Sequence, residues 1–151
     1  MTLGITALDQ VTKWLITRTI PLNGQIELLP VLNMVYIYNR GATFGILNRA
    51  DINWQFWFFL LPAVVVLGVI IHLARNSQSN SLLFTGLGLV LGGAFGNLVD
   101  RVRMRAVLDF IHCHLGAWDF PAFNLADTAI TVGAVLSVWM IWRMGGEEKK
   151  E

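Results

Sequence analysis

The stretch Gly92-Gly-Ala-Phe-Gly-Asn-Leu-Val-Asp-Arg101, followed through to Asn124-Leu-Ala-Asp127, decides how the chain reads. It holds three aspartates, Asp100, Asp109 and Asp127, beside two segments too apolar to live in water. Ionisable groups kept at a membrane are costly and mark function. Asp109 and Asp127 flank an aromatic-rich segment, which predicts that both lie near one membrane face. Two carboxylates at such a boundary predict an aspartyl pair that hydrolyses a bond in a lipid-embedded substrate.

Composition agrees with membrane residence. Of the 151 residues, 55% are hydrophobic and only 14% are charged, with a mean hydropathy of +0.58; a soluble chain carries roughly 25% charged residues. The length suits one domain, residues 1–151. A net charge of +1 and the lack of a Lys/Arg run outside the short tail give no reason to invoke nucleic acid. The single cysteine, Cys113, excludes an intrachain disulfide and a multi-cysteine metal site. No Lys or Arg precedes the first apolar segment, so that segment is expected to be a retained span rather than a cleaved signal.

Four helical spans are predicted, at about 1–20, 54–74, 82–100 and 124–143. In the first, Asp9 and Lys13 stand four apart and can pair along one face, with Thr2, Thr6, Gln10 and Thr17 close by. That stripe suits a bundle interior. The Asp9–Lys13 pair either serves insertion alone or reaches into a site as well, and Pro21 ends the helix. The second span has no Asp, Glu, Lys or Arg over 21 positions, enough for roughly 31 Å of helix. In the third, Gly88, Gly92 and Gly96 recur every four residues, which reads as close helix packing rather than a phosphate loop. Asn97, Asp100 and Arg101 share a face at its end, with Arg101 or Arg103 as the default partner of Asp100. In the fourth, Asn124 is an N-cap and Asp127 sits at N3, the pattern of a capping box.

Between the spans, Val31–Tyr38 and residues 105–115 read as strands, with Ala42–Leu47 as a return strand. A small extracytoplasmic sheet lying on the bilayer is expected. His112 and His114 share a strand face, but no third metal ligand is in view. Counted with cytoplasmic termini, the Lys/Arg distribution runs against the positive-inside rule, so charge bias does not set the orientation.

Five blocks together resemble lipoprotein signal peptidase, or signal peptidase II, the membrane aspartyl peptidase family of bacteria. They are Asp9-Gln-Val-Thr-Lys13, Asn39-Arg-Gly41-Ala-Thr-Phe-Gly45, Gly92–Arg101, Val107-Leu-Asp109-Phe110 and Phe120-Pro-Ala-Phe-Asn124-Leu-Ala-Asp127. The resemblance implies that Asp109 and Asp127 are catalytic. It implies that Asn39, Gly41, Asn97, Arg101 and Asn124 line the site, supported by Asp9, Lys13, Gly93 and Asp100. It further implies cleavage of prolipoproteins just before a diacylglyceryl-modified cysteine and no cofactor. Globomycin-type inhibitors and membrane lipids are the expected ligands. The implied setting is a multi-pass monomer in the bacterial inner membrane, with its site near the extracytoplasmic face. Two features depart from the family: only eight residues precede Asp9, and His112-Cys113-His114 is unusual after the Asp-Phe pair.

Within such a pair, Asp127 in the first turn of a helix is expected to be the base, because N–H dipoles favour its anion. Asp109, between Leu108 and Phe110, is expected to carry the proton. Two other classes fit parts of the pattern. One is a proton-coupled transporter, the other a structural membrane subunit in which Asp127 only caps a helix.

Overall fold

The computed structural model describes residues 1–40, 64–65, 68, 72 and 80–147 of the chain. Helix α1 (Thr2–Thr19) ends where Ile20 turns extended, at φ −119° and ψ 131°, ahead of Pro21; the residue before a proline is pushed out of the helical region. Helix α2 (Ser81–Met104) starts under Asn80, whose side chain accepts the N–H groups of Leu82 and Leu83. It runs a turn beyond the expected end at 100 and stops at Arg105, which is left-handed at φ 54°. Helix α3 spans Leu125–Glu147.

The polar stripe of α1 lies on the glycines of α2. Thr2 and Thr6 hydroxyls donate to the carbonyls of Gly88 and Gly92 at 3.2 and 2.9 Å, and Gln10 Nε2 donates to Gly96 at 3.1 Å. Each step of four along α1 matches a step of four in the same direction along α2, so these helices run parallel. Helices α2 and α3 run antiparallel, with Gly86 facing Gly133 and Ser137, and Gly93 facing Ala126 and Ile130. Apolar spans do not attract one another through water, so close backbone approach at small residues supplies the contact. Ser81–Met104 and Leu125–Met144 are long and apolar enough to cross a membrane. Of the span expected at 54–74, residues 64, 65, 68 and 72 are helical and the rest lies outside the described residues. The return strand expected at 42–47 also lies outside them.

A four-stranded antiparallel sheet in the order β1-β2-β3-β4 joins these helices. Strands β2 (Leu32–Asn39) and β3 (Val107–Leu115) match the expected ones; β1 (Gln25–Leu29) and the two-residue β4 (Trp118–Asp119) were not anticipated. The first four residues of β3 are buried on both faces. Leu108 and Phe110 pack on Ile16 and Ile20 at the end of α1, with Tyr36 and Tyr38 of β2 against them. A bulge between Met34 and Ile37 resets the register so that Ile37 stands opposite Asp109 and Asn39 opposite Val107. The backbone of Phe123 then bonds Phe110 and Ile111, which brings the start of α3 onto β3.

Candidate active site

Asp109 and Asp127 reach the same place from different elements. Asp109, on β3, is 3% exposed. Its Oδ2 accepts from Asn39 Nδ2 at 2.9 Å and its Oδ1 from Asn124 Nδ2 at 2.8 Å. Asp127, in the first turn of α3, is half-buried. Its Oδ1 accepts from Asn97 Nδ2 at 2.7 Å and its Oδ2 from the backbone N–H of Asn124 at 3.2 Å. Asn124 Nδ2 also donates to Asn97 Oδ1 at 3.2 Å. The two carboxylates are thus the branches of one asparagine network, Asn39–Asp109–Asn124–Asn97–Asp127.

Neither bridging amide has a free choice of orientation. Asn124 Oδ1 accepts the N–H of Asp127 at 2.9 Å, so its Nδ2 must face Asp109. Asn97 Oδ1 accepts from Lys13 Nζ at 3.1 Å. An ammonium only donates, so Asn97 turns its own Nδ2 to Asp127.

Burial pushes the Asp109 carboxyl up to about 7. The amides of Asn39 and Asn124 and the charge of Lys13 pull it down, while the charge of Asp127 raises it. Loss of hydration and a like charge both penalise the anion. Asp109 therefore holds its proton well above the ordinary carboxylate range.

Below the pair lies a buried ionic cluster. Lys13 Nζ is 2.8 Å from both Asp9 Oδ2 and Asp100 Oδ2. Asp9 Oδ1 accepts the N–H of Ala126 at 3.0 Å, and Asp100 Oδ2 accepts that of Leu108 at 3.2 Å. Asp9 and Lys13 pair within α1 as expected, and Lys13 reaches beyond that pair. The ion-pair partner of Asp100 is this lysine rather than the neighbouring arginine expected by default, because the Asp100 face of α2 packs on α1. Arg101 donates to the Asn97 carbonyl at 3.4 Å and lies within electrostatic reach of Asp127, Asp109 and Asp100.

Gly93 has a plain role. A Cβ there would run into the carbonyl of Ala126, so only glycine lets the Asp127 turn lie directly on α2. Gly41 lies outside the described residues. Gln10, which no sequence argument placed in the site, donates to Asp100 Oδ1 at 2.9 Å. Its position on the Thr2–Thr6 stripe was the available signal. His112 Nε2 bonds Asp119 Oδ1 at 2.8 Å. Among the described residues, no group of three His, Cys, Asp or Glu side chains is placed to hold a metal ion.

The family described as signal peptidase (SPase) II matches residues 1–143. A lipoprotein signal peptidase of Nitratidesulfovibrio vulgaris (strain DP4) is 48% identical over 143 residues, covering 94% of this chain and 87% of that protein. One from Geobacillus thermodenitrificans (strain NG80-2) is 46% identical over 137 residues, covering 88% and 81%. A bacterial membrane enzyme solved by the in meso method at 2.3 Å superposes with a TM-score of 0.80 at 30% identity, over 99% of this chain and 90% of that one. A second such structure, at 1.9 Å, gives 0.76 at 31% identity over 93% and 88%. With nearly its whole length matched by the family and its relatives, the chain belongs to the signal peptidase II family.

Proposed function

We propose that this chain is a four-span aspartyl endopeptidase that removes signal peptides from diacylglyceryl-modified prolipoproteins, cutting just before the lipid-modified cysteine. The observation that carries the reading is the network joining Asp109 to Asp127 through Asn124 and Asn97. It sets a buried carboxyl, pushed up to about 7 and so able to hold a proton at working pH, beside a half-buried carboxylate, each accepting from two N–H donors.

Amide hydrolysis needs both states. Asp127 takes a proton from the attacking water as its oxygen bonds the scissile carbonyl carbon. Asp109 hydrogen-bonds the carbonyl oxygen and stabilises the charge that develops there. As the C–N bond breaks, a proton passes to the leaving amine, and the pair returns to sharing one proton. Asn39, Asn97 and Asn124 orient the carboxyls, and Arg101 adds positive charge beside them.

The four-span reading draws support from the parallel α1 and α2. Parallel neighbours need a return pass between them, and the uncharged stretch 54–74 is the segment whose sequence is expected to make it. The sheet then sits at the end of the bundle that carries the carboxylates, which fits a site at one face of the bacterial inner membrane. The acyl chains of the substrate lie in the bilayer against the helices, so partition supplies much of its recognition. Globomycin-type inhibitors are expected to compete for the same place.

The test is cleavage, in detergent, of one prolipoprotein with and without its diacylglyceryl group, with products identified by mass spectrometry. The reading predicts one cut, before the modified cysteine, and none in the unmodified precursor. Equal cleavage of both, or a cut elsewhere, contradicts it.

A further inference from the structure

Lys13 is buried, with its side chain 4% exposed, and three separate contacts lead from it to the carboxylate pair. Through Asn97 Oδ1 at 3.1 Å it turns the Asn97 amide toward Asp127. Through Asp9 at 2.8 Å it holds the carboxylate that accepts the N–H of Ala126, in the same helical turn as Asp127. Through Asp100 at 2.8 Å it holds the carboxylate that accepts the N–H of Leu108, next to Asp109. An ammonium has three donors, and each of these uses one. Neutralising Asp9 for insertion would need only the pair at i, i+4; the second carboxylate and the amide go beyond it.

We propose that Lys13 is a positioning residue for the peptidase pair. It fixes the direction of the Asn97 amide and ties the Asp127 turn and the Asp109 strand to one cation. The inference rests on the aspartyl-pair reading above. With Lys13 removed, Asn97 keeps only the 3.2 Å bond from Asn124 to define its orientation, and the donor to Asp127 weakens. A carboxylate with a weaker donor holds its proton to higher pH.

The test compares the wild type with Asp9→Asn/Lys13→Met, which leaves the net charge of the Asp9–Lys13–Asp100 cluster unchanged, with Asp100 still held by Gln10 Nε2 and the Leu108 N–H. Turnover of a diacylglyceryl-modified prolipoprotein is followed against pH in detergent. The expected result is a kcat roughly 10–100-fold lower, as for small misplacements of reacting groups, with KM little changed. The acidic limb of the profile moves up by about one unit. Asn97→Ala leaves the ionic cluster intact and does not depend on the first variant folding. Followed under single-turnover conditions, it gives the same limb shift, and the combined variant gives no larger one. An unmoved limb in Asn97→Ala, or shifts that add in the combination, overturns the proposal. Cleavage surviving in Asp109→Asn or Asp127→Asn would instead refute the pair itself. If both of those are dead while the limb stays put, only the role of Lys13 fails.

Discussion

Asn124 and Asp127 hydrogen-bond each other twice, each donating its backbone N–H to the side chain of the other, at 3.2 and 2.9 Å. This reciprocal cap closes the start of α3. It also aims the Asp127 carboxylate, whose second oxygen is left to Asn97. Capping and catalysis are therefore not rival explanations of Asp127, since the cap is what holds the carboxylate still.

Replacing Asn124 separates these roles least and costs most. The side chain is fully buried and serves Asp127, Asp109, Asn97 and the Leu108 carbonyl. Asn124→Ala is expected to lower stability by roughly 2–3 kcal/mol, from a lost cap and buried groups left unpaired. Turnover should fall further than the melting shift alone would account for. Parallel melting and cleavage assays check this.

The pH dependence of stability carries a signature of Asp109. Below its ordinary value of 3.8 the group is protonated in both folded and unfolded chains. Between there and about 7 the unfolded chain has released the proton while the folded one retains it. Each unit of rising pH in that window therefore favours unfolding, by up to about 1.4 kcal/mol. Above about 7 the loss is complete. Asp109→Asn has no such proton to lose, so its melting temperature should gain on that of the wild type as pH rises through the window. A constant difference between the two would contradict the buried, protonated Asp109.

Gly93→Ala tests the approach of α3 to α2. The added methyl meets the Ala126 carbonyl, which is backbone and cannot swing aside. Overpacking of this kind costs about 1–3 kcal/mol, and the displaced turn carries Asp127. Melting should drop and kcat with it, whereas Gly4→Ala, inside α1 with nothing within 4 Å of the new methyl, should leave kcat unchanged and raise the melting temperature slightly.

A carboxyl pair that supplies both base and acid has no need of a metal. Chelators are expected to leave turnover unchanged, and so is His112→Gln, which removes the contacts to Asp119 and to the His114 ring, away from the carboxylate pair. Loss of activity on chelation, restored by a divalent cation, would redirect attention to His112 and His114.

What could be read from the sequence followed local spacing. The four-residue recurrence of Thr2, Thr6 and Gln10 predicted an inward stripe, and Asn124 with Asp127 predicted the cap. The resemblance supplied Asn39, Asn97 and Asn124, and the structure brings all three onto the two carboxylates. What could not be read depended on packing between distant segments. Asp100 looked toward its neighbouring arginines because nothing local announces that α1 lies across that face of α2 and offers Lys13 instead. Gln10 lies on the expected stripe, but its bond to Asp100 depends on that same packing. Strand β1 escaped because Gln25–Leu29 is exposed throughout, so no buried face imposes an alternation on it.

The most direct measurement is cleavage of a diacylglyceryl-modified prolipoprotein by the wild type, Asp109→Asn and Asp127→Asn, with melting curves taken on the same detergent preparations. The account predicts no turnover in either variant, with Asp109→Asn melting near or above the wild-type temperature and Asp127→Asn somewhat below it, because an amide cannot accept from both Asn97 and the Asn124 N–H. Cleavage persisting in Asp109→Asn while Asp127→Asn melts early would show that the carboxylates only hold the structure together, and would contradict it.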